Sequence, residues 1–333
     1  MTATATVRVM SPEEIAARAG GDVPFLVWPQ RQTVFAERAM RLRQLSRSHP
    51  MGEFLGFMAD LAQAQQDAVA TMPSVILPGV SEIDKAARLG VPPLGATEWP
   101  RDPAWHGVLR RLAQAVQPNA PSAFNEAVAE LLAADADEWE RQADALLHGV
   151  MDKIRMATAP LVASALQVYF THLVLSVQER HGAGGQPFGR IDDASVCPCC
   201  GSRPTVSLIR SGGEFLGQRY LHCSVCSTQW HRVRAQCTHC GSSAKLAYQS
   251  LDRNDADADE DGSSRAAKAA IQAETCEDCG HYLKVIHSDR DPMAEPVTDD
   301  LASLTLDLLV SEAGFERHGV NLMLLFGADP ENT

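Results

Sequence analysis

Four C-x-x-C pairs crowded between residues 197 and 279 constrain this chain more than any other feature. They read Cys197-Pro198-Cys199-Cys200-Gly201, Cys223-Ser224-Val225-Cys226, Cys237-Thr238-His239-Cys240-Gly241 and Cys276-Glu277-Asp278-Cys279-Gly280. All nine cysteines lie in this stretch, eight of them in pairs and Cys199 left over. Two intervening residues let the backbone turn tightly enough for both sulfurs to face one ion. The same turn aims backbone N–H groups at the sulfurs and so favours thiolate. A glycine after the second cysteine supplies the positive φ that the turn needs, and Gly201, Gly241 and Gly280 stand there in three of the four pairs.

One tetrahedral ion takes four thiolates, so four pairs suffice for two closed sites. The candidate metal ligands are therefore Cys197, Cys200, Cys223, Cys226, Cys237, Cys240, Cys276 and Cys279. Pairing the first knuckle with the second and the third with the fourth gives two consecutive ribbon sites and is favoured. A cross-braced pairing of first with third is the alternative. Four thiolates suit zinc and also a single iron, and the spacing does not choose between them. Iron would permit a one-electron change, whereas zinc would be purely structural. His222, His231, His239 and His281 lie beside the knuckles, but with eight paired cysteines no histidine ligand is required. Cys199 reads as a passive neighbour.

Other uses of cysteine fit less well. A disulfide framework suits a small secreted domain, whereas this chain has 333 residues. Its segment Met1 to Val7 shows no apolar core followed by a cleavage site. A thioredoxin-like centre needs one reactive pair in a βαβ unit, not four pairs among short strands. Clustered, reduced cysteines suit a reducing compartment. The formal net charge of −13 argues against general nucleic-acid or membrane-surface binding.

Ahead of the cysteines the pattern is helical. Ser11 and Glu14 form a capping box for a short first helix, and residues 22–33 read as loop. Phe35, Ala39, Leu42 and Leu45 recur at helical spacing, with Arg38, Arg41 and Arg43 expected to point elsewhere. His49-Pro50 ends that helix, and Phe54, Phe57, Met58 and Leu61 mark the next. From Pro73 to Pro121 frequent prolines limit helices to short pieces near 81–88 and 104–117. Two stripes follow, Phe124/Val128/Leu131/Leu132 and Trp139/Ala143/Leu146/Leu147, and then a helix over roughly 157–180. Its apolar run from Leu161 to Val177 is interrupted by Gln167, Thr171 and His172, which makes a buried helix a better reading than a membrane span. His49, His106, His148 and His172 are scattered and suit no metal site. Nothing in this half resembles a phosphate loop or a catalytic constellation, so no enzyme activity is expected.

The glycine-rich segment 181–189 is read as a hinge, giving a multidomain chain: an α-helical domain over 20–185 and a small β-ribbon, metal-binding region over 190–326. Short strands are expected at 205–209, 219–222, 228–233 and 282–286, with Tyr220, Trp230, Tyr248 and Tyr282 as a small core. Between Cys197 and Ser250 stand Arg203, Arg210, Arg219, Arg232, Arg234 and Lys245 against a single acid, Glu214. Such cations offset thiolate charge and could also dock an acidic partner. A zinc-ribbon nucleic-acid module is the alternative, and the acidic run from Asp252 to Asp261 speaks against it. Thr298, Asp299 and Asp300 are expected to cap a final helix over 301–313 with Leu304, Leu308 and Leu309 buried. The apolar tail 321–326 should pack back onto the body.

The knuckle order resembles that of the FdhE family of formate dehydrogenase accessory proteins. So do His281-Tyr282-Leu283-Lys284, Asp299-Asp300-Leu301-Ala302, Asn321-Leu322 and the stretch from Phe35 to Arg43. Cys199, in a variable position of the first knuckle, is not expected from that likeness. The resemblance implies a cytoplasmic chaperone-like protein with two rubredoxin-like sites holding iron rather than zinc. It also implies binding to the catalytic subunit of formate dehydrogenase, with the eight paired cysteines as ligands and no catalytic residue. Oligomeric state is left open.

Overall fold

The structure is a computed structural model that describes residues 23–120, 122–150, 153–182, 186–211, 217–251 and 268–324. The capping box at Ser11 and Glu14, the acidic run Asp252–Asp261 and the end of the apolar tail at Leu325 and Phe326 lie outside them.

Helices α1 (Val34–Ser46), α2 (Gly52–Ala70), α3 (Val80–Arg88), α4 (Ala104–Val116), α5 (Ser122–Ala133), α6 (Ala136–His148) and α7 (Ala159–His181) fall where the apolar spacing and the prolines put them. Asp135 caps α6 by accepting from the Glu138 N–H at 2.8 Å, and Gly149 ends it at φ 70°. Helix α7 is the axis of this half. Every residue from Ala159 to Leu175 is buried, and α2, α4 and α6 pack around it. A helix that is apolar on all sides belongs in a protein core. His172 is accommodated there as a neutral ring, with Arg31 donating to its Nδ1 at 2.7 Å.

Strands β1 (Leu26–Val27), β2 (Pro204–Ile209), β3 (Arg219–Cys223), β4 (Gln229–Arg232), β5 (Leu246–Gln249), β6 (Ile271–Cys276), β7 (His281–His287) and β8 (Glu316–Arg317) form one sheet. Its order is β1-β4-β3-β2-β7-β6-β5, with β8 beside β7. Two antiparallel ribbons, β2-β3-β4 and β5-β6-β7, each contain a pair of knuckles, and the parallel pairing of β2 with β7 joins them. The expected loop at 22–33 instead contributes β1, whose Leu26 lies opposite Trp230 of β4. The helical half thus supplies an edge strand to the ribbon sheet. Strands β5, β6 and β8 carry too little alternation to be read from sequence, because β6 is buried on both faces and β5 is half exposed.

The last helical segment departs from expectation. Helix α8 (Pro296–Ala302) is capped by Glu295, whose carboxylate accepts from the N–H groups of Val297 and Thr298. Ser303 breaks the run, and α9 (Leu304–Glu312) follows with Leu306, Asp307 and Val310 inward. Leu308 and Leu309 are 59% and 50% exposed, not buried. Asp299 accepts from the N–H of the N-cap Glu295 at 2.7 Å, but both Asp299 and Asp300 also pair buried cations. Arg41 donates to Asp299 at 2.6 and 2.9 Å, and Asp300 receives Lys284 at 3.0 Å and Arg317 at 2.6 Å. Arg38 and Arg41, expected to face away from the core, are buried at 0% and 6% exposure because these carboxylates lie inside. Tyr220, Trp230 and Tyr282 are buried, but Tyr248 is half exposed, its hydroxyl donating to Glu274 at 2.6 Å. The tail turns over Leu322–Leu324 and packs against α7.

Burial of neutral imidazoles makes stability pH-dependent. Burial, with the Arg31 charge adding, pushes His172 down to about 4, and burial with Arg290 does the same for His287, also to about 4. An unfolded imidazole titrates near 6.5, so between these values the unfolded chain binds more protons. Stability is therefore flat above about pH 6.5 and falls as pH drops toward 4, by at most about 1.4 kcal/mol per pH unit for each histidine. Urea midpoints measured across this window should fall less steeply for His172→Gln than for the parent. An unchanged slope removes His172 from the account.

Candidate metal centres

Each knuckle is built by the same local bonds. The N–H of Cys197 donates to the Ser202 carbonyl at 2.9 Å and that of Cys237 to the Ser242 carbonyl at 2.8 Å. Gly201 and Gly241 donate back to the carbonyls of Cys197 and Cys237 at 2.8 and 3.0 Å. Gly201, Gly241 and Gly280 adopt φ of 73°, 74° and 70°. The second knuckle has no glycine, yet Ser227 takes φ 59° in the equivalent place. The turn geometry is thus imposed even where the side chain resists it.

The sulfurs meet in two quartets, Cys197/Cys200/Cys223/Cys226 and Cys237/Cys240/Cys276/Cys279. First knuckle therefore faces second and third faces fourth, and the cross-braced arrangement is not adopted. In the first quartet Sγ atoms lie 3.4 Å apart for Cys200–Cys223 and 3.6 Å for Cys197–Cys226 and Cys200–Cys226. In the second the separations are 3.7 Å for Cys237–Cys279 and 3.8 Å for Cys240–Cys276. A tetrahedron with metal–sulfur bonds of about 2.3 Å has edges of about 3.8 Å, whereas a disulfide needs about 2.0 Å. All nine cysteines are free thiols. The donor set and its spacing fit a four-thiolate metal ion at each quartet.

Electrostatics within the quartets point the same way. Burial pushes the Cys197 and Cys223 thiols well above their ordinary range. Burial also opposes ionisation of Cys200, but hydrogen bonds from Cys197 and Cys223 hold it well below that range. The backbone N–H groups of Val225 and Cys226 each approach Cys223 Sγ at 3.4 Å. Four sulfurs brought together in the core are stable as thiolates only beside a cation.

The two sites differ in depth. The first quartet is 0–1% exposed and belongs to the same core as Leu166 and Phe170 of α7. The proline-rich segment after α3 grips its first knuckle: Leu94 and Ala96 donate from their N–H groups to the carbonyls of Cys199 and Cys200 at 3.0 and 2.8 Å. Gln167 on α7 donates to the Ser224 carbonyl at 2.8 Å. Its own Oε1 receives Gln65 at 3.0 Å and Arg38 at 3.3 Å. Gln167, which in sequence only interrupts an apolar run, is the polar pin between helices and knuckle. Cys199 is fully buried, and burial pushes its thiol up to about 11, which leaves it inert at neutral pH. The second quartet lies at the surface, with Cys240 exposed and Cys279 half exposed.

The neighbouring histidines divide. His222 and His231 join neither quartet, and His231 bonds Gln218 at 3.1 Å. His239 and His281 come together beside Cys279. Of the six cations in the basic stretch, Arg219 is 1% exposed and is paired with Glu274 at 2.8 Å. Arg203, Arg234 and Lys245 remain at the surface.

Comparison with known proteins matches these regions in turn. Family models described as FdhE, N-terminal, FdhE, central domain, and FdhE, C-terminal domain cover residues 23–184, 196–234 and 235–324. The chain belongs to the FdhE family. The FdhE homolog of Pseudomonas aeruginosa is 37% identical over 96% of this chain and 99% of its own length. The FdhE protein of Escherichia coli is 33% identical over 97% of this chain and 99% of its own. The crystal structure of the FdhE protein from Pseudomonas aeruginosa superposes with a TM-score of 0.79 at 35% identity, covering 90% of this chain and 99% of that one. The central FdhE model ends at residue 234, between the two ribbons, so each quartet falls wholly inside one FdhE unit.

Proposed function

We propose that this chain is a non-catalytic accessory protein for the formation of active formate dehydrogenase, acting in the cytoplasm on the catalytic subunit. The observation that carries this reading is membership of the FdhE family over nearly the whole length, with both cysteine quartets intact. The eight paired cysteines are its metal ligands. Iron is the preferred occupant, as the resemblance to the FdhE family implies, with zinc as the alternative. Bound iron would supply a one-electron couple, which N–H···S contacts such as those at Cys223 tune.

The rest of the work falls to the protein's own groups. The first quartet locks the ribbon sheet onto the helices, and the second holds the outer ribbon rigid. The ribbon sheet then offers Arg203, Arg234 and Lys245 to an acidic client surface, without the buried Arg219. The immobilised chain should retain the formate dehydrogenase catalytic subunit from solution and lose it when the three surface cations are replaced by alanine. Absence of retention by the metal-loaded parent overturns the reading. Elemental analysis after anaerobic purification separates iron from zinc. Full client maturation by protein reconstituted with zinc alone would remove a redox role while leaving the docking role intact.

A further inference from the structure

One face of the ribbon sheet carries a hollow that neither cysteine quartet uses, and strand register assembles its walls. Ile209 of β2 lies opposite Arg219 of β3 and His287 of β7. Val285 of β7 lies opposite Gln272 of β6, and Glu274 of β6 opposite Tyr248 of β5. Residues opposed across neighbouring strands share a face, and so do residues two apart along one strand. All of these side chains therefore project to one side. With Arg234, Ala235 and Arg290 they line a cavity of about 550 Å³, within the range of roughly 300–1,000 Å³ found for ligand pockets.

The charge in this hollow is one-sided. Among the described residues that line it, Glu274 carries the one carboxylate, and its oxygens are already taken. Arg219 donates to Oε1 at 2.8 Å and the Tyr248 hydroxyl to Oε2 at 2.6 Å. His287 is bonded through Nε2 to Gln272 at 2.8 Å and is uncharged at neutral pH. Asp289 stands 3.9 Å from its Nδ1 and is no part of the lining. Arg234 and Arg290 are exposed, and neither pairs with a carboxylate among the described residues. Each spends one N–H on a backbone carbonyl, Arg234 on Gly217 at 3.3 Å and Arg290 on Ala269 at 2.6 Å. That bond steadies each guanidinium and leaves the remainder of its fork for a ligand.

Between the cations the surface is apolar. Val285 and Ile209 are 1% and 8% exposed, and the Tyr248 ring stands at the rim. The two guanidinium groups come from separate loops, after β4 and after β7, and so suit carboxylates spaced along a chain. Strand β5, which carries Tyr248, ends the sheet order among the described residues, so an extended segment can lie along that rim.

We propose that this hollow takes an acidic peptide segment of the client, its carboxylates on Arg234 and Arg290 and an apolar side chain between them on Ile209 and Val285. The proposal rests on the docking reading above and narrows it from a surface to a pocket. It adds Arg290 and leaves Arg203 and Lys245 outside the contact.

The probe is a blocked pentapeptide of four glutamates around a central photo-leucine, irradiated with the full metal-loaded chain, and the labelled residues are located by mass spectrometry. Label is expected on Ile209, Val285 or Tyr248. Arg234→Gln/Arg290→Gln should take up roughly tenfold less, and Arg203→Gln/Lys245→Gln as much as the parent. Label elsewhere, equal labelling by the glutamine counterpart of the peptide, or parental labelling of Arg234→Gln/Arg290→Gln overturns the pocket. Free glutarate that suppresses labelling as well as an equal concentration of unlabelled peptide overturns the peptide as occupant in favour of a small dicarboxylate. Immobilised Arg290→Gln should also retain less catalytic subunit than the parent. Equal retention overturns the pocket alone, whereas no retention by the parent overturns the docking reading itself.

Discussion

Replacing Cys226 by serine is expected to unfold the whole chain, whereas replacing Cys240 by serine should leave the helical half folded. Cys226 is 0% exposed and its quartet lies in the same core as α7. On the proposed four-thiolate reading, removing one thiolate forfeits much of an ion's binding free energy, which for a structural four-ligand site is on the order of 10 kcal/mol. That is comparable to the entire stability of a typical folded protein, roughly 5–15 kcal/mol. The loss also strands three sulfurs in a medium that cannot solvate them. Cys240 is exposed and joins only the outer ribbon, so its loss weakens one surface site. Far-ultraviolet circular dichroism would read the contrast: collapse of helical signal for Cys226→Ser and near-parental signal for Cys240→Ser. The same asymmetry should govern chelation. A chelator should remove the second ion rapidly, and the first only as the chain unfolds. Simultaneous release of both ions from folded protein would contradict the depth assigned to the first quartet.

The second large effect is expected at Lys284. Its ammonium, 2% exposed, sits 3.0 Å from Asp300 Oδ1 and 2.6 Å from Asp307 Oδ2, and donates to the Asp300 carbonyl at 2.6 Å and the Ser303 hydroxyl at 2.9 Å. Arg317 is the other cation on these carboxylates, at 2.6 Å from Asp300 and 2.7 Å from Asp307. Lys284→Met keeps much of the volume but leaves two buried carboxylates with one cation, Arg317, beside the hydrogen bonds from Asn321 to Asp300 and from Tyr282 to Asp307. Breaking such a network by one member costs about 3–5 kcal/mol, and for a chain of 333 residues thermal melting should fall by roughly 4–7 °C. The sign of the pH dependence follows from Asp300. Burial opposes its ionisation, yet Lys284 and Arg317 hold its carboxyl below its ordinary value. Its contribution is therefore present above the unfolded value near 3.9 and lost as pH falls through the folded one. A melting temperature within about 2 °C of the parent would show that the network contributes little net stability.

Local chemistry is what could be read directly from the residues. A C-x-x-C turn needs only its own backbone and a residue at positive φ, so all four knuckles were legible, whereas the sequence only favoured the pairing of neighbours that the fold adopts. The helices α1 to α7 were legible for the same reason, since apolar spacing and proline act within a few residues. The glycine-free second knuckle shows where such reading stops, because nothing about Ser227 announces its φ of 59°.

What the tertiary structure alone decided is which polar groups go inside. Arg38 and Arg41 bond Glu295 and Asp299, which lie 257 and 258 residues further along the chain. Gln167 joins Ser224 across the boundary between helices and ribbon, and Lys284 meets Asp300 and Asp307 only once α8 and α9 are docked. A buried charge is tolerable only beside its partner, and chain order does not disclose partners that distant. The same holds for depth. Both quartets have equivalent spacing in sequence, but packing against α7 buries the first and leaves the second open to solvent.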